Sequence, residues 1–443
     1  MKRSEFIKAS TVAGLGMTFF KPNLVFGRDD RKVRLGFIGV GGRGTSHLRR
    51  VLKRDDVVVT NICDIDKEAL NRARDLVVQA GGKKPRGFSR NEVHYRDMVE
   101  REDMDGIIIS TPWKWHVPMT VDTMNAGKYA GLEVPAAVTL DECWQLVRTY
   151  EATKVPCMIL ENVCYRRDVM AALNMVRQGL FGELVHAHCG YQHDLRGIKF
   201  NPGAEFGPDK GEGEAKWRTQ HSIDRNGDIY PTHGVGPVAT MMEVNRGNRF
   251  VHLTSTATKS RGLHNYIVEK GGVGHPNAGI KFTLGDIVTT VIKTARGETM
   301  VVSHDTNLPR PYSLMFRIQG THGLWLKDND SIYIEGRSPE EHEWESFAAY
   351  QEEFDHPLWR RYGEQAEGAG HGGMDFFVTH AFIESVKRKV SPPLDVYDAA
   401  AWSAISPLSE QSIAEGSTPM QFPDFTQGKW ENRKPVFALD DDF

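Results

Sequence analysis

The strongest constraint on this chain is a turn. Gly39, Gly41 and Gly44 form a G-x-G-x-x-G that closes the apolar run Val33–Ile38 and opens a helix near Thr45. Glycines at these places make the tight turn, let backbone N–H groups approach a pyrophosphate, and let helix and strand pack closely. The phosphates then lie at the positive end of the helix. The next apolar segment, Val57–Cys63, reads as a second strand, and Asp64 ends it 20 residues beyond Gly44. A carboxylate there accepts hydrogen bonds from an adenosine ribose and repels a 2′-phosphate, which predicts NAD rather than NADP. The expected phosphate and ribose contacts are Gly39, Gly41, Gly42, Arg43, Gly44 and Asp64.

The 443 residues leave room for more than one domain, and a net charge of −3 without a basic, aromatic-interleaved stripe argues against a nucleic-acid partner. No apolar run reaches the length of a membrane span. The five cysteines are odd in number and form no C-x-x-C pair, so neither a disulfide framework nor a zinc site is expected. His186-x-His188 and Gln192-His193-Asp194 have ligand-like spacing, but no third ligand stands out and no metal is predicted. Residues 1–29 read as a leader, with Lys2-Arg3-Ser4-Glu5-Phe6-Ile7-Lys8 ahead of a short, weakly apolar stretch. The pattern resembles a twin-arginine signal with Lys2 in place of the first arginine. A functioning leader would send the folded protein to the periplasm; otherwise the chain is cytoplasmic.

Residues 30–160 alternate strands and helices, which predicts an α/β Rossmann domain with a doubly wound parallel sheet. Residues 161–443 carry a series of alternating strands and predict an α+β substrate domain built on an open antiparallel sheet. A free face of such a sheet offers a place for a second copy of the chain. Asn201 to Gly227 is polar, glycine-rich and low in periodicity, and reads as a long loop near the active site.

Ligands of doubly wound sheets lie beyond the carboxyl ends of the strands. After the Ile107–Ile109 strand comes Trp113-Lys114-Trp115-His116, after the next Glu133-Val134-Pro135, and after the last Glu161-Asn162-Val163-Cys164-Tyr165-Arg166. With Thr111-Pro112, Gly131-x-Glu133-x-Pro135, Gly370-His371-Gly372-Gly373-Met374-Asp375 and Asp395-Val396-Tyr397-Asp398-Ala399, the chain resembles the oxidoreductases typified by glucose–fructose oxidoreductase and inositol dehydrogenase. Dehydrogenases of that family carry Glu-Lys-Pro, whose lysine assists proton removal; here Val134 stands in its place. The chain more closely resembles the NAD-dependent branch classed as glycoside hydrolase family 109, the α-N-acetylgalactosaminidases. The matching features are Glu133-Val134-Pro135, Glu161-Asn162 with Tyr165, Trp217-Arg218, Tyr230-Pro231-Thr232-His233-Gly234-x-Gly236-Pro237, and Ser303-His304-Asp305-Thr306 leading to Pro311-Tyr312.

The resemblance implies release of a terminal α-linked N-acetylgalactosamine from a small glycoside or a glycan's non-reducing end. Its steps are transient C3 oxidation, C2 deprotonation, elimination of the aglycone, water addition and re-reduction. NAD stays tightly bound and is recycled within each turnover, and no carboxylate pair is required. It further implies that Tyr165 is the C2 base and His233 accepts the C3 hydroxyl proton. A neighbouring cation, Arg166 or Arg218, would have to lower the phenol's pKa. Tyr191, Arg218, Tyr230, Pro231, Thr232, His233 and Tyr312 are the expected substrate contacts, and Trp113, Lys114, Trp115, His116, Glu133, Val134 and Asn162 the expected contacts around the cofactor. The alternative is an NAD-dependent sugar or inositol-type dehydrogenase that manages without the lysine.

Overall fold

The computed structural model describes residues 31–201 and 212–443. The leader-like segment 1–29 and part of the expected 201–227 loop lie outside them. The first sheet comprises β1 (Val33–Ile38), β2 (Val57–Cys63), β3 (Arg86–Phe88), β4 (Gly106–Ile109), β5 (Tyr129–Leu132) and β6 (Cys157–Ile159). Its order is β3-β2-β1-β4-β5-β6, and every pair is parallel. The helices Gly42–Val51, Lys67–Gln79, His116–Asn125 and Leu140–Thr153 supply crossovers. The last begins with a capping box, in which Thr139 and Glu142 satisfy each other's backbone N–H groups. Chain order reverses between β1 and β4, which opens a crevice at their carboxyl ends.

Two elements of this half were not expected. β3 lies in the basic, glycine-containing stretch from Gly81 to Arg90, where a three-residue edge strand leaves no periodicity to detect. The short helix Tyr95–Val99 is held by burial of Tyr95 and Met98, and the Tyr95 hydroxyl donates to Asp122 at 2.8 Å.

The second sheet comprises β7 (Leu184–Gln192), β8 (Phe250–Ala257), β9 (Ile287–Thr294), β10 (Thr299–Asp305), β11 (Arg317–Gly320), β12 (Gly323–Leu326), β13 (Ser331–Ile334), β14 (Glu345–Ser346) and β15 (Met420–Gln421). They stand in the order β14-β13-β12-β11-β7-β10-β9-β8-β15. The sheet is mixed rather than wholly antiparallel, since β7 and β10 run parallel. Parallel neighbours need a long crossover, and β8 and β9 with their intervening helices occupy it. β7 is therefore flanked on both sides, by β10 and β11, and delivers its carboxyl end to the site.

The chain returns to the first sheet through the helix Met374–Arg388, whose Phe382 lies beneath Gly106 and Gly131. A Cβ at Gly131 would stand 3.1 Å from that ring, so the glycine permits the close packing. Val33–Phe443 forms one unit by its contacts. All five cysteines are buried, and burial pushes each thiol above its ordinary pKa. Among the described residues no helix is long and apolar enough to cross a membrane.

Candidate active site

The glycine turn after β1 has the shape a dinucleotide phosphate requires. Gly39 has φ +83°, and a Cβ at Gly44 would come within 1.9 Å of the Gly39 carbonyl oxygen. Gly41 and Gly42 face open space at the start of the helix Gly42–Val51, which has no acidic residue in its first turn and no side-chain cap. Its first N–H groups are thus available to an anion. Asp64 braces the turn by accepting from the Val40 N–H at 2.7 Å. Burial raises the pKa of its carboxyl, opposed by that hydrogen bond and one from Asp66. The buried Asn162 adds an amide oxygen with no hydrogen-bond partner in the protein. These features fit a dinucleotide.

Arg43, inside the turn, reaches away from it. Its guanidinium meets Glu133 at 2.5 Å and Asp375 at 3.0 Å. His47 lies 2.6 Å from the same Glu133 oxygen. Asp375 also accepts from Arg50 at 2.6 Å, the Asn162 amide at 2.6 Å and the His371 ring at 2.7 Å. Burial opposes ionisation of Glu133 and Asp375, but these cations and hydrogen bonds outweigh it and hold both carboxyls well below the usual carboxylate range. Glu133 and Asn162 are therefore tied to a residue of the last long helix, and both are buried.

An aromatic chamber lies between the sheets. Trp113 stacks on Tyr230 at 5.5 Å and touches His221 at 4.6 Å. Tyr230 touches Tyr191 at 4.7 Å and His233 at 5.1 Å, and Tyr191 touches His233 at 5.4 Å. Arg218 spans this wall, 5.2 Å from the Trp113 ring and 5.1 Å from Tyr230, and pairs with Glu214 at 2.7 Å. Burial favours losing its charge, but Glu214, Tyr230 and Tyr191 outweigh that and raise its pKa. Burial pushes the Tyr191 phenol up to about 12 while Arg218 pulls the other way. His221 is held down at about 4 by burial, Arg225 and Arg218, so its ring is neutral where it lies tilted against Trp113. Tyr312 closes the rim, 47% exposed.

His233 stands in the first turn of the helix Thr232–Met241, with Nδ1 2.6 Å from Glu161 Oε1. Glu161 is fully buried at the end of β6 and its second oxygen has no partner in the protein. The carboxylate thereby fixes Nδ1–H and leaves Nε2 as the basic nitrogen.

Residues 165–432 match the family model described as the glycosyl hydrolase 109 C-terminal domain, and residues 33–160 match the oxidoreductase family with an NAD-binding Rossmann fold. A glycosyl hydrolase family 109 protein of Stenotrophomonas maltophilia is 53% identical, with 99% of each chain covered. An α-N-acetylgalactosaminidase of Tannerella forsythia is 52% identical over 93% of this chain and 90% of its own. The chain belongs to glycosyl hydrolase family 109. Among solved structures, a levoglucosan dehydrogenase in complex with NADH and levoglucosan matches with TM-score 0.68 at 18% identity, covering 89% of this chain and all of that one. At that identity the likeness is one of fold.

Within this family 109 chain, the structure brings Tyr191, Arg218, Tyr230, His233, Tyr312 and Trp113 together. Pro231 and Thr232 are buried at the start of the His233 helix. Val134 is buried directly after Glu133. Trp115 packs edge-on against Tyr95, and Lys114 points outward toward Glu92 at 3.6 Å. His116 is buried with its ring nitrogens against the Pro135 and Thr111 carbonyl oxygens, a strut for the two loops.

Tyr165 lies apart from this wall. It is fully buried in the core, stacked on Phe377 at 6.2 Å and edge-on to Phe437 at 5.0 Å, and its hydroxyl has no partner. Arg166 is paired with Asp168 and Arg218 lies with Trp113 and Tyr230, so neither cation offsets the burial that drives this phenol's pKa far up. Tyr191, by contrast, adjoins His233 and Arg218. The expected loop 201–227 also changes, since Arg218–Asp224 is helical and presents Arg218 from its first turn. A two-turn helix behind a glycine-rich run is too short to show a period.

Sequence reading gave no role to Glu161 or Asp375. Each had a signal: Glu161 is a carboxylate directly after a buried strand, in the same position as Glu133. Asp375 follows a glycine cluster, where an acid ordinarily reads as a favourable first-turn charge. His186 and His188 sit 4.8 Å apart with His186 bonded to Thr299, and among the described residues no group of three His, Cys, Asp or Glu side chains gathers for a metal.

Proposed function

We propose that the protein is an NAD-dependent exo-glycosidase that releases terminal α-linked N-acetylgalactosamine, with residues 30–160 holding the dinucleotide and 161–443 the sugar. The observation that carries this reading is the Glu161-bound His233 beside Tyr191, two proton-handling groups on one wall next to Arg218. A dehydrogenase needs one base; oxidation at C3 followed by elimination across C1 and C2 needs two. Gly39, Gly41, Gly42, Gly44 and Asp64 would hold NAD, which would supply the reversible two-electron oxidation at C3. Asn162 and Glu133, fixed through Asp375 and Arg43, shape the floor near it.

His233 accepts the C3 hydroxyl proton at Nε2, because Glu161 holds Nδ1–H and stabilises the resulting imidazolium. Tyr191 takes the C2 proton, which a C3 carbonyl has made acidic. Arg218 stabilises the phenolate that forms if Tyr191 acts ionised, and hydrogen-bonds the acetamido group. Tyr230 and Trp113 pack the sugar face, and Tyr312 covers the rim. Residues 1–29 would act as an export leader, and cell fractionation of leader-containing and leaderless chains tests that separately.

The test is hydrolysis of nitrophenyl N-acetylgalactosaminides of both anomers in deuterated water by protein given no extra cofactor. The expected result is release from the α anomer with deuterium at C2, and loss of at least 100-fold in kcat for Y191F. Absence of hydrolysis, with steady NADH formation from a free sugar and added NAD, would establish the dehydrogenase instead.

A further inference from the structure

The mechanism above leaves His193 without a part. It lies two residues after Tyr191, just past the end of β7, and its Nδ1 is 3.0 Å from the Tyr191 hydroxyl. Its ring is half-buried and packs edge-on to Tyr312 at 5.0 Å, at the rim of the chamber. The chain beyond β7 holds it firmly, since the His193 N–H donates to the Asp305 carbonyl at 2.8 Å. The phenolic oxygen takes a hydrogen bond from Arg218, which favours its own proton pointing to His193; with Nδ1 as the acceptor, the ring's own proton lies on Nε2.

We propose that His193 is the positioning residue of Tyr191: it accepts the phenol's own proton as the phenol takes the proton from C2 of the sugar, and it connects Tyr191 to solvent for proton exchange. This rests on the reading of Tyr191 as the C2 base. In the step, the C2–H bond breaks and its electron pair enters the enolate formed with the C3 carbonyl. The phenolic oxygen binds that proton as its own moves to His193 Nδ1. The imidazolium then releases a proton from Nε2 to water. While the aglycone leaves and water adds, the proton now on Tyr191 exchanges with solvent through His193, so the return transfer delivers a solvent proton to C2.

The surroundings suit this part. Burial, Arg218 and His233 hold the His193 pKa below its ordinary value against the opposing charge of Asp194, so the ring is neutral and ready to accept near pH 7. Asp194 is itself engaged by Arg196 at 2.7 Å. Glu161 and Glu214 face Tyr191 and disfavour a standing phenolate, as does burial. A phenol in that setting has few ionised molecules at neutral pH. Handing its proton to a neighbour while taking another avoids that requirement.

The full-length enzyme with nitrophenyl α-N-acetylgalactosaminide in deuterated water tests the proposal, using H193Q and, as a second variant, H193F. Glutamine accepts a hydrogen bond from the phenol but takes no proton. Kinetics across pH 6 to 10 are combined with mass analysis of deuterium at C2. The natural enzyme is expected to give a neutral plateau and deuterium at C2. H193Q is expected to keep KM within about twofold, lose about 100-fold in kcat at pH 7, and recover about tenfold per pH unit toward alkaline pH. Its product should retain mostly protium at C2, because an isolated phenol returns the proton it took. H193F should share the alkaline recovery and the protium. A natural pH profile with full deuterium in H193Q would overturn the proposal, whatever its kcat. Failure of the natural enzyme to put deuterium at C2, or loss of catalysis only in H193Q with Y191F fully active, would instead overturn the assignment of Tyr191 itself.

Discussion

Replacing Asp375 by alanine is expected to cost about 3 kcal/mol of stability. The carboxylate has a fully buried side chain and takes hydrogen bonds from Arg43 at 3.0 Å, Arg50 at 2.6 Å, Asn162 at 2.6 Å and His371 at 2.7 Å. Breaking one side of a buried ion pair costs about 3–5 kcal/mol, much of it from the charges left behind. The Arg43 and Arg50 side chains are 26% and 10% exposed, so water takes over part of what they lose, which places the variant at the lower end. With a urea dependence of about 3 kcal/mol per molar, the unfolding midpoint falls by about 1 M. D375N keeps the shape but turns an N–H toward a guanidinium, and is expected to lose about 2 kcal/mol. Urea unfolding followed by circular dichroism and tryptophan fluorescence measures both. The pH dependence has a definite sign: folding lowers the pKa of Asp375 and Glu133, so their contribution is complete above the ordinary carboxylate value of about 4 and is lost as pH falls below it. The alanine variant should accordingly show a shallower loss of stability on acidification. A midpoint within 0.2 M of the natural protein, or an unchanged acid slope, would refute the argument that this carboxylate anchors the network.

Tyr165→Phe removes a buried hydroxyl that bonds to nothing, so stability should hold or rise by about 1 kcal/mol and kcat should stay within about threefold; a hundredfold loss in kcat would return this residue to the chemistry. Gly44→Ala places a methyl 1.9 Å from the Gly39 carbonyl oxygen, so the turn has to open and NAD affinity should fall sharply, as read by titrating NAD onto the purified protein. Lys199 is fully buried against Thr306 and Asn307, and burial lowers its pKa to about 7. Its charged form is the costly one in the fold, so stability should rise as pH climbs from about 7 to about 10, and Lys199→Met should flatten that rise in thermal melts.

The parallel sheet was legible because its strands other than β3 are short, apolar and followed by a glycine or polar turn. The glycine fingerprint located its first crossover, although the helix starts at Gly42 rather than near Thr45. β3 escaped notice because it adds only Phe88 to the core. The mixed character of the second sheet was hidden for a different reason. Alternation reveals which face of β7 and β10 is buried, and says nothing of whether neighbours run the same way. The site was legible where function clusters in sequence, as in Tyr230 to His233. The burial of Tyr165 was not legible, because a tyrosine after a strand end looks alike whether its ring turns toward a cleft or toward Phe377. Tyr191 reads equally well as a strand residue, and only the approach of Arg218, His233 and His193 distinguishes it. Asp375 was beyond reach for the same reason, since its partner Arg43 is 332 residues away.

That separation bears on how such enzymes can be recombined. Arg43 sits among the glycines that mark the dinucleotide half, yet its charge is balanced in part by a helix belonging to the other end of the chain. A chimera that joins this sugar-binding half to a foreign nucleotide-binding half inherits Asp375 without its guanidinium, and the reverse graft strands the arginine. Swaps that move positions 43, 50, 133, 162 and 375 as a set keep the seam neutral. The unit of exchange is therefore defined by a shared charge network, and cutting the gene at the junction between the two sheets divides it.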